Sequence, residues 1–430
     1  MQTLSLRAKL MSFSLDADGT VDVVYLEDGV LICTDGRINA LMPATDYAAD
    51  GGDLDACEDL RPCFICPGFV DTHLHMPQLG IIASYSPRLL DWLDRFAFPA
   101  EQAFADSAFA AEQAQHFLDR VIASGTTCAQ VFTTVHEHAC EHLFAAAQSA
   151  DMAMVAGKVM MDRHAPAPLT QEPQACARAC EGLINKWHDK GRLRYALTPR
   201  FAITSSEEQL ALCGELLQSH PSVLLQTHLS ENREEIGEVA RLFPQADDYL
   251  DVYERFGLNV SSTTFAHGIH LSASERLRIV ATGAKVAFCP SSNLFLGSGL
   301  FDLAAMPMDN LSIASDVGGG TGLSMLYTCA EGYKVGQARG HQMHPTEAFY
   351  AITAGNAKSL GLADEIGQLR PGYSADLVVL NPSKPQTLAE RYATCEELTD
   401  TLFAFMMLSD DRSIERCYIA GKLAYSASAQ

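Results

Sequence analysis

The strongest constraint on this chain is a rhythm in its middle, where short apolar runs alternate with longer amphipathic segments. TTCAQVF (126–132) is followed by a helical stretch to about Ala150, and MAMVAGKVMM (152–161) by QACARACEGLINKWHDK (174–190). RYALTPRF (194–201), SVLLQTHLS (222–230), TTFAHGIHLS (263–272), AKVAFCPSS (284–292) and LSIASDVGG (311–319) continue the series. Short runs of Val, Ile, Phe and Ala bounded by polar residues read as buried strands, and the segments between them are long enough for helices. At least seven such units follow one another over roughly 300 residues, the order of a parallel sheet with helical crossovers. The prediction is a distorted (β/α)8 TIM-like barrel.

The two ends have another texture. In GTVDVVYLEDGVLICTDGRINALMP (19–43) strand-like alternation is punctuated by Asp28-Gly29 and Asp35-Gly36, both read as turns. PGYSADLVVLNP (371–382) and RCYIAGKLAYS (416–426) repeat it. The expected layout is therefore a small β-sandwich domain built from both termini, residues 1–66 and 365–430, around a barrel spanning 67–364. A chain of 430 residues with 48% hydrophobic content is long enough to bury such a core.

Composition removes several functions. With 30 basic and 53 acidic residues the net charge is −23, which argues against sequence-independent binding to nucleic acid or an anionic membrane. MQTLSLRAKLMSF contains no long apolar core of a signal peptide, and no uninterrupted apolar stretch is long enough to span a bilayer. Thirteen cysteines without framework spacing fit a reduced, cytoplasmic protein better than a disulfide scaffold.

Barrels of this kind keep their chemistry at the C-terminal ends of the strands. In PGFVDTHLHMPQ (67–78), His73 and His75 stand at i and i+2 and point the same way from an extended strand. His228 closes SVLLQTH, His267 closes TTFAH and Asp316 closes LSIASD. Four histidines and an aspartate at four strand ends would converge on the barrel axis. Three or four such ligands with one open position suit a catalytic Zn²⁺ or Fe²⁺.

Two other motifs compete. PCFIC (62–66) matches half of a deaminase zinc signature, but that signature also needs a His-x-Glu upstream and no histidine precedes His73. HACEH (138–142) fits a His-x-x-Glu-His peptidase pattern, but it lies in an Ala-rich helical stretch and would leave the other ligands unexplained. His136, at a strand end, is a further candidate for the pocket wall.

With LTPRF (197–201), THLSENR (227–233), FAHGIHLS (265–272), CPSSN (289–293) and SDVGGG (315–320), the chain resembles the amidohydrolase superfamily, and more narrowly its guanine deaminase branch. LLDWLDRFAFPAEQAF (89–104) resembles a pocket-wall segment of that branch, and GQLRPGYSADLVVLNP (367–382) the stretch that closes its small domain. The resemblance implies hydrolytic deamination of guanine at one metal per subunit, zinc or iron, held by His73, His75, His228 and Asp316. Two-metal members carry a bridging carboxylated lysine at the fourth strand end. Here that place falls on Arg200, and Lys158 lies at the end of an earlier strand.

The resemblance also implies roles. Asp316 would act as base for the attacking water, His267 would orient it, and Glu231 would move protons to the ring and the leaving amine. On the sequence alone Glu231 reads first as an ordinary acidic residue at a helix start, and the resemblance reverses that reading. Gln78, Arg200 and Phe201 would bind the purine, with His228, Glu231 and Asp316 also in contact. A homodimer is implied too. The alternative is another single-metal amidohydrolase deaminase, of triazine, pterin or adenosine type.

Overall fold

In the computed structural model, residues 3–16 and 18–427 are described, and their strands divide between two sheets. The N-terminal strands are β1 (Thr3–Leu15), β2 (Val21–Thr34), β3 (Arg37–Pro43) and β4 (Glu58–Pro67). Then come β5 (Phe69–His75), β6 (Thr126–Phe132), β7 (Ala153–Gly157), β8 (Val159–Met160), β9 (Leu193–Pro199), β10 (Leu224–Leu229), β11 (Thr263–His267), β12 (Lys285–Phe288) and β13 (Leu311–Ile313). The chain ends with β14 (Leu377–Leu380), β15 (Ile414–Ile419) and β16 (Lys422–Ser426).

The first sheet has the order β16-β15-β14-β4-β1-β2-β3, so strands from both termini interleave as expected. Period-2 alternation sorts its side chains between two cores. Leu6, Ala8, Leu10, Ile65, Leu377 and Val379 fill the small domain, whereas Phe64, Cys66, Val378 and Leu380 pack toward the barrel. Ile38 N donates to Tyr373 O and Ala375 N to Gly36 O, both at 2.9 Å. The β3 edge thus returns to the segment leading into β14, and the sheet rolls around its own core.

Asp28-Gly29 is not a turn. β1 and β2 pair along their lengths, with Gly29 opposite Ala8, and the register slips between Ala8 and Leu10, a bulge that takes up Glu27 and Asp28. Arg7 Nε holds Asp28 Oδ1 at 2.8 Å, and a Cβ on Gly29 would come within 2.7 Å of Leu10 Cδ1. Long-range pairing overrides the local turn preference. Asp35-Gly36 is the hairpin turn, with left-handed φ of 49° and 81°.

The second sheet runs β13-β12-β11-β10-β9-β7-β6-β5 in parallel, with β8 beside β9. β5 and β6 are buried at every residue, as strands covered on both faces must be. The eight-stranded barrel is nearly closed. At the seam between β13 and β5, Asn356 Nδ2 donates to Val70 O (2.6 Å) and Ile313 O (2.7 Å), and its Oδ1 accepts from Ile313 N (3.2 Å). Beyond the strand end Asp316 N donates to His73 O at 2.8 Å and His75 N to Val317 O at 2.6 Å.

The apolar runs are longer than the strands they contain. β10 ends at Leu229, one residue past His228, and β13 ends at Ile313, so Asp316 stands three residues beyond its strand rather than closing it. Among the described residues no helix is long and apolar enough to cross a membrane.

Candidate active site

His73 and His75 leave β5 on one face, as the i, i+2 spacing predicts, and meet groups from three other strand ends. His73 Nε2 lies 3.2 Å and His75 Nε2 3.3 Å from Asp316 Oδ1. His228 Nε2 is 3.3 Å from His75 Nε2. Ligands about 2.0–2.1 Å from a tetrahedral ion stand about 3.3 Å apart, so these separations match the edges of such a site. Both ring nitrogens of His73 are buried with no hydrogen-bond partner, a costly state for a polar group unless an ion takes a lone pair. The donor set fits a metal.

The protonation states agree. Desolvation, followed by the crowding of other rings that could carry a proton, His73 first, pushes His228 well below its ordinary pKa, and desolvation takes His75 down to about 4. Both are therefore neutral. His228 Nδ1 donates to Arg200 O at 2.6 Å, which leaves the Nε2 lone pair facing inward. Against desolvation, contacts with His73 and His75 hold Asp316 well below the usual carboxylate range. Phe132, at the end of β6, forms an apolar floor 4.7–4.9 Å from the rings of His73, His75 and His228.

Asp316 reaches inward from off its strand because its backbone turns left-handed, φ 50°. His267 does the same at φ 73°, a strain of about 1–3 kcal/mol that clusters at functional sites. The glycines of SDVGGG make the crossing possible. A Cβ on Gly318 would stand 2.4 Å from Gln78 O, and one on Gly320 1.8 Å from Ser315 O.

Above this cluster lies a small cavity lined by His75, Gln78, Arg200, Phe201, His228, Glu231, His267 and Asp316. Every predicted site residue except His73, which is buried beneath, reaches it. Leu89, Trp92 and Leu93, from the expected wall segment, complete it with Leu296 and Gly319.

Glu231 is buried, and desolvation, then Glu235 and Asp316, push its carboxyl well above its ordinary pKa. Ser298 Oγ donates to Glu231 Oε1 at 2.8 Å, and His267 Nε2 lies 3.5 Å from Oε2. Its bland alternative is occupied by others. The helix Arg233–Leu242 is capped by Asn232 with Glu235 closing the capping box, and Glu231 precedes that cap. Asn293 Nδ2 donates to His267 Nδ1 at 2.9 Å, so the proton of this imidazole sits on Nε2, facing Glu231 and Asp316.

The sequence model of the Amidohydrolase family matches residues 64–424. The chain belongs to the amidohydrolase family. Guanine deaminase of Escherichia coli K12 is 43% identical over 403 residues, 93% of this chain and 92% of that one. A solved E. coli guanine deaminase superposes with a TM-score of 0.94 at 40% identity, covering 99% of this chain and 100% of that one. A guanine deaminase from C. acetobutylicum with guanine bound in its active site gives 0.87 at 27% identity, with the same coverage.

Other candidates of this amidohydrolase chain fall outside the site. Cys63 joins the small-domain core while Cys66 faces the barrel, so the two cannot share an ion. In HACEH, His138 bonds Phe104 O (2.8 Å), His142 bonds Ser107 (3.0 Å) and Glu141 pairs with Lys186 (2.5 Å). His136 stacks on His138, 5.6 Å between ring centres, and does not line the cavity. Lys158 is buried against Gln171 and Cys176, away from the ligands. Cys289 comes within ligand distance of His73, His267 and Asp316, but its thiol is directed to Ala287 O at 3.3 Å.

Four residues of the site were given no role by motif reading. Asp71 accepts from Ser315 N (3.1 Å) and from the Ser315 hydroxyl, anchoring the loop that carries Asp316. Ser298 and Asn293 set Glu231 and His267. Glu101 lies behind Arg200 and Gln78. Only Asp71, two residues before His73 on the same strand face, left a periodic signal.

Proposed function

We propose that this amidohydrolase is a guanine aminohydrolase, replacing the 2-amino group of guanine with oxygen to give xanthine and ammonia. One observation carries the reading: a single cavity faces a metal-ligand cluster and Glu231 on one side and a row of N–H donors on the other. Gln78 lines the cavity, its Oε1 accepting from Gly318 N at 3.3 Å and its Nε2 3.5 Å from Glu101 Oε1, which leaves one amide hydrogen to donate. With the Arg200 guanidinium it offers donors to two adjacent acceptors, O6 and N7 of guanine. Adenine would place an amino group against them and leave buried donors unpaired. Phe201, Trp92 and Leu93 supply apolar walls for the ring faces.

One zinc or ferrous ion, held by His73, His75, His228 and Asp316, would supply a hydroxide nucleophile near neutral pH. Asp316 takes the proton released from water, and the Nε2–H of His267 orients the attacking oxygen. Glu231, kept near neutrality by burial, protonates the ring nitrogen beside C2. Left as a carboxylate, it takes the proton of the new C2 hydroxyl and passes it to the departing amine, whose bond to C2 breaks as the carbonyl forms, and the proton held by Asp316 then restores it. The same reading takes in a cytoplasmic homodimer acting in purine catabolism, with the chain divided at residues 66 and 364.

Metal-loaded protein should consume guanine absorbance and release one ammonia per turnover. If neither changes, the proposal is wrong. Adenine, pterins and amino-triazines in the same assay test the alternative deaminases and should turn over far more slowly.

A further inference from the structure

Glu101 touches neither the cavity nor the ligand cluster, yet it is fully buried on the helix Phe98–Gln102. Its Oε1 accepts from Arg200 Nη1 and faces Gln78 Nε2 at 3.5 Å. Both residues proposed to read the purine edge therefore converge on one carboxylate oxygen. We infer that Glu101 is a positioning residue that fixes the donor face by which this pocket separates purines carrying O6 from purines lacking it. The inference rests on the guanine reading above.

Three features support it. First, the Gln78 amide has only one satisfactory orientation, its oxygen on the Gly318 N–H and its nitrogen on a carboxylate. One amide hydrogen is used by Glu101 and the other remains for a ligand. A neutral amide at 101 would remove that preference and let Gln78 present an acceptor.

Second, Arg200 and Glu101 have side chains only 3% and 1% exposed, so they form a buried pair of no net charge. Guanine is neutral at physiological pH, and the carboxylate lets Arg200 donate to it without an unbalanced charge in the wall. The Arg200 guanidinium also lies over the Phe98 ring at 5.4 Å, so the same helix sets both its height and its direction.

Third, Glu101 Oε2 is buried without a partner. The carboxylate uses only the oxygen aimed between the two readers. Serving the two readers, rather than pairing fully with the surrounding fold, is what its geometry achieves.

The test compares wild type with Glu101→Gln and Glu101→Asp, both metal-loaded. Inhibition constants are measured for hypoxanthine, which carries O6 and N7, and for unsubstituted purine, which lacks O6. KM and kcat are measured for guanine. The expected result is a rise of about tenfold or more for hypoxanthine, with purine changed less than about twofold. KM for guanine should rise more than kcat falls. Glu101→Asp retains the charge and should fold where Glu101→Gln does not, while withdrawing the oxygen from both readers. Equal weakening of both inhibitors, or of neither, would reduce Glu101 to a structural role and overturn the inference. A wild type that does not deaminate guanine would instead strike the function on which it rests.

Discussion

Glu231 stands between opposing influences. Desolvation and the charges of Glu235 and Asp316 favour its neutral form, whereas the Ser298 hydroxyl at 2.8 Å favours the carboxylate. A group that must both give and take a proton works best when neither form is far away. Ser298→Ala removes a hydrogen bond to the charged form, so the pKa of Glu231 should rise further. If its protonated form starts the reaction, the alkaline limb of kcat/KM should move upward by about one to two pH units, given that a bond to a charged group contributes about 1.5–3 kcal/mol. A limb that stays or moves down would assign it to another group. Glu231→Gln should keep the bound metal, measured by elemental analysis, while turnover falls about 10²–10⁴-fold. Full activity in that variant would remove Glu231 from the chemistry.

At the scale of elements, the barrel depends on a seam that its strands do not close. Asn356 supplies three bonds to the backbone of Val70 and Ile313, a task that no local sequence pattern announces. Asn356→Ala would leave three buried backbone groups short of partners, a cost of about 3 kcal/mol or more. Denaturant unfolding should show the loss as a lower midpoint with an unchanged slope. A wild-type midpoint would mean that strand pairing alone closes the barrel. The contrast with β6 explains what was legible. TTCAQVF is a strand over the predicted residues because local apolar content decides it, and His73 and His75 were readable because two-residue periodicity survives in sequence. Asp316 was expected at a strand end and lies three residues beyond β13, since its left-handed turn follows from tertiary crowding around the glycines. Ser298, Asn293 and Glu101 act through partners 67, 26 and 99 residues away, a relation no local pattern encodes. Asp28-Gly29 failed for the same reason in reverse, a local signal overruled by a distant strand.

For the whole molecule, two junctions hold pieces of distant origin. The ligand cluster is one, because the metal would join the ends of β5 and β10 to the loop after β13. A chelator should abolish turnover and lower the melting temperature, and added Zn²⁺ should restore both, since an ion bound only by the folded state stabilises it by mass action. An unchanged melting temperature on complete metal removal would contradict that coupling. The other junction lies at the opposite end of the barrel. Asp376, at the entry to β14, has a side chain 2% exposed and pairs with Arg192, just before β9. Arg192 Nη1 also donates to Asp151 O at 2.7 Å, and Asp376 Oδ1 accepts from Ala420 N at 2.9 Å, in the β15–β16 hairpin. The backbone of Asp376 accepts from Gly68 N at 2.9 Å, where the chain crosses from the small sheet into β5. One residue, through its buried carboxylate and its backbone carbonyl, therefore ties both halves of the small domain to the barrel. Arg192→Ala would strand that charge, at a cost of about 3–5 kcal/mol, whereas Arg192→Met with Asp376→Leu removes both charges and should cost less than the single change. The comparison is read by denaturant unfolding, with guanine turnover near wild type in whatever remains folded. Equal losses in the single and double variants would show that the charge pair is incidental and that apolar packing alone joins the two sheets.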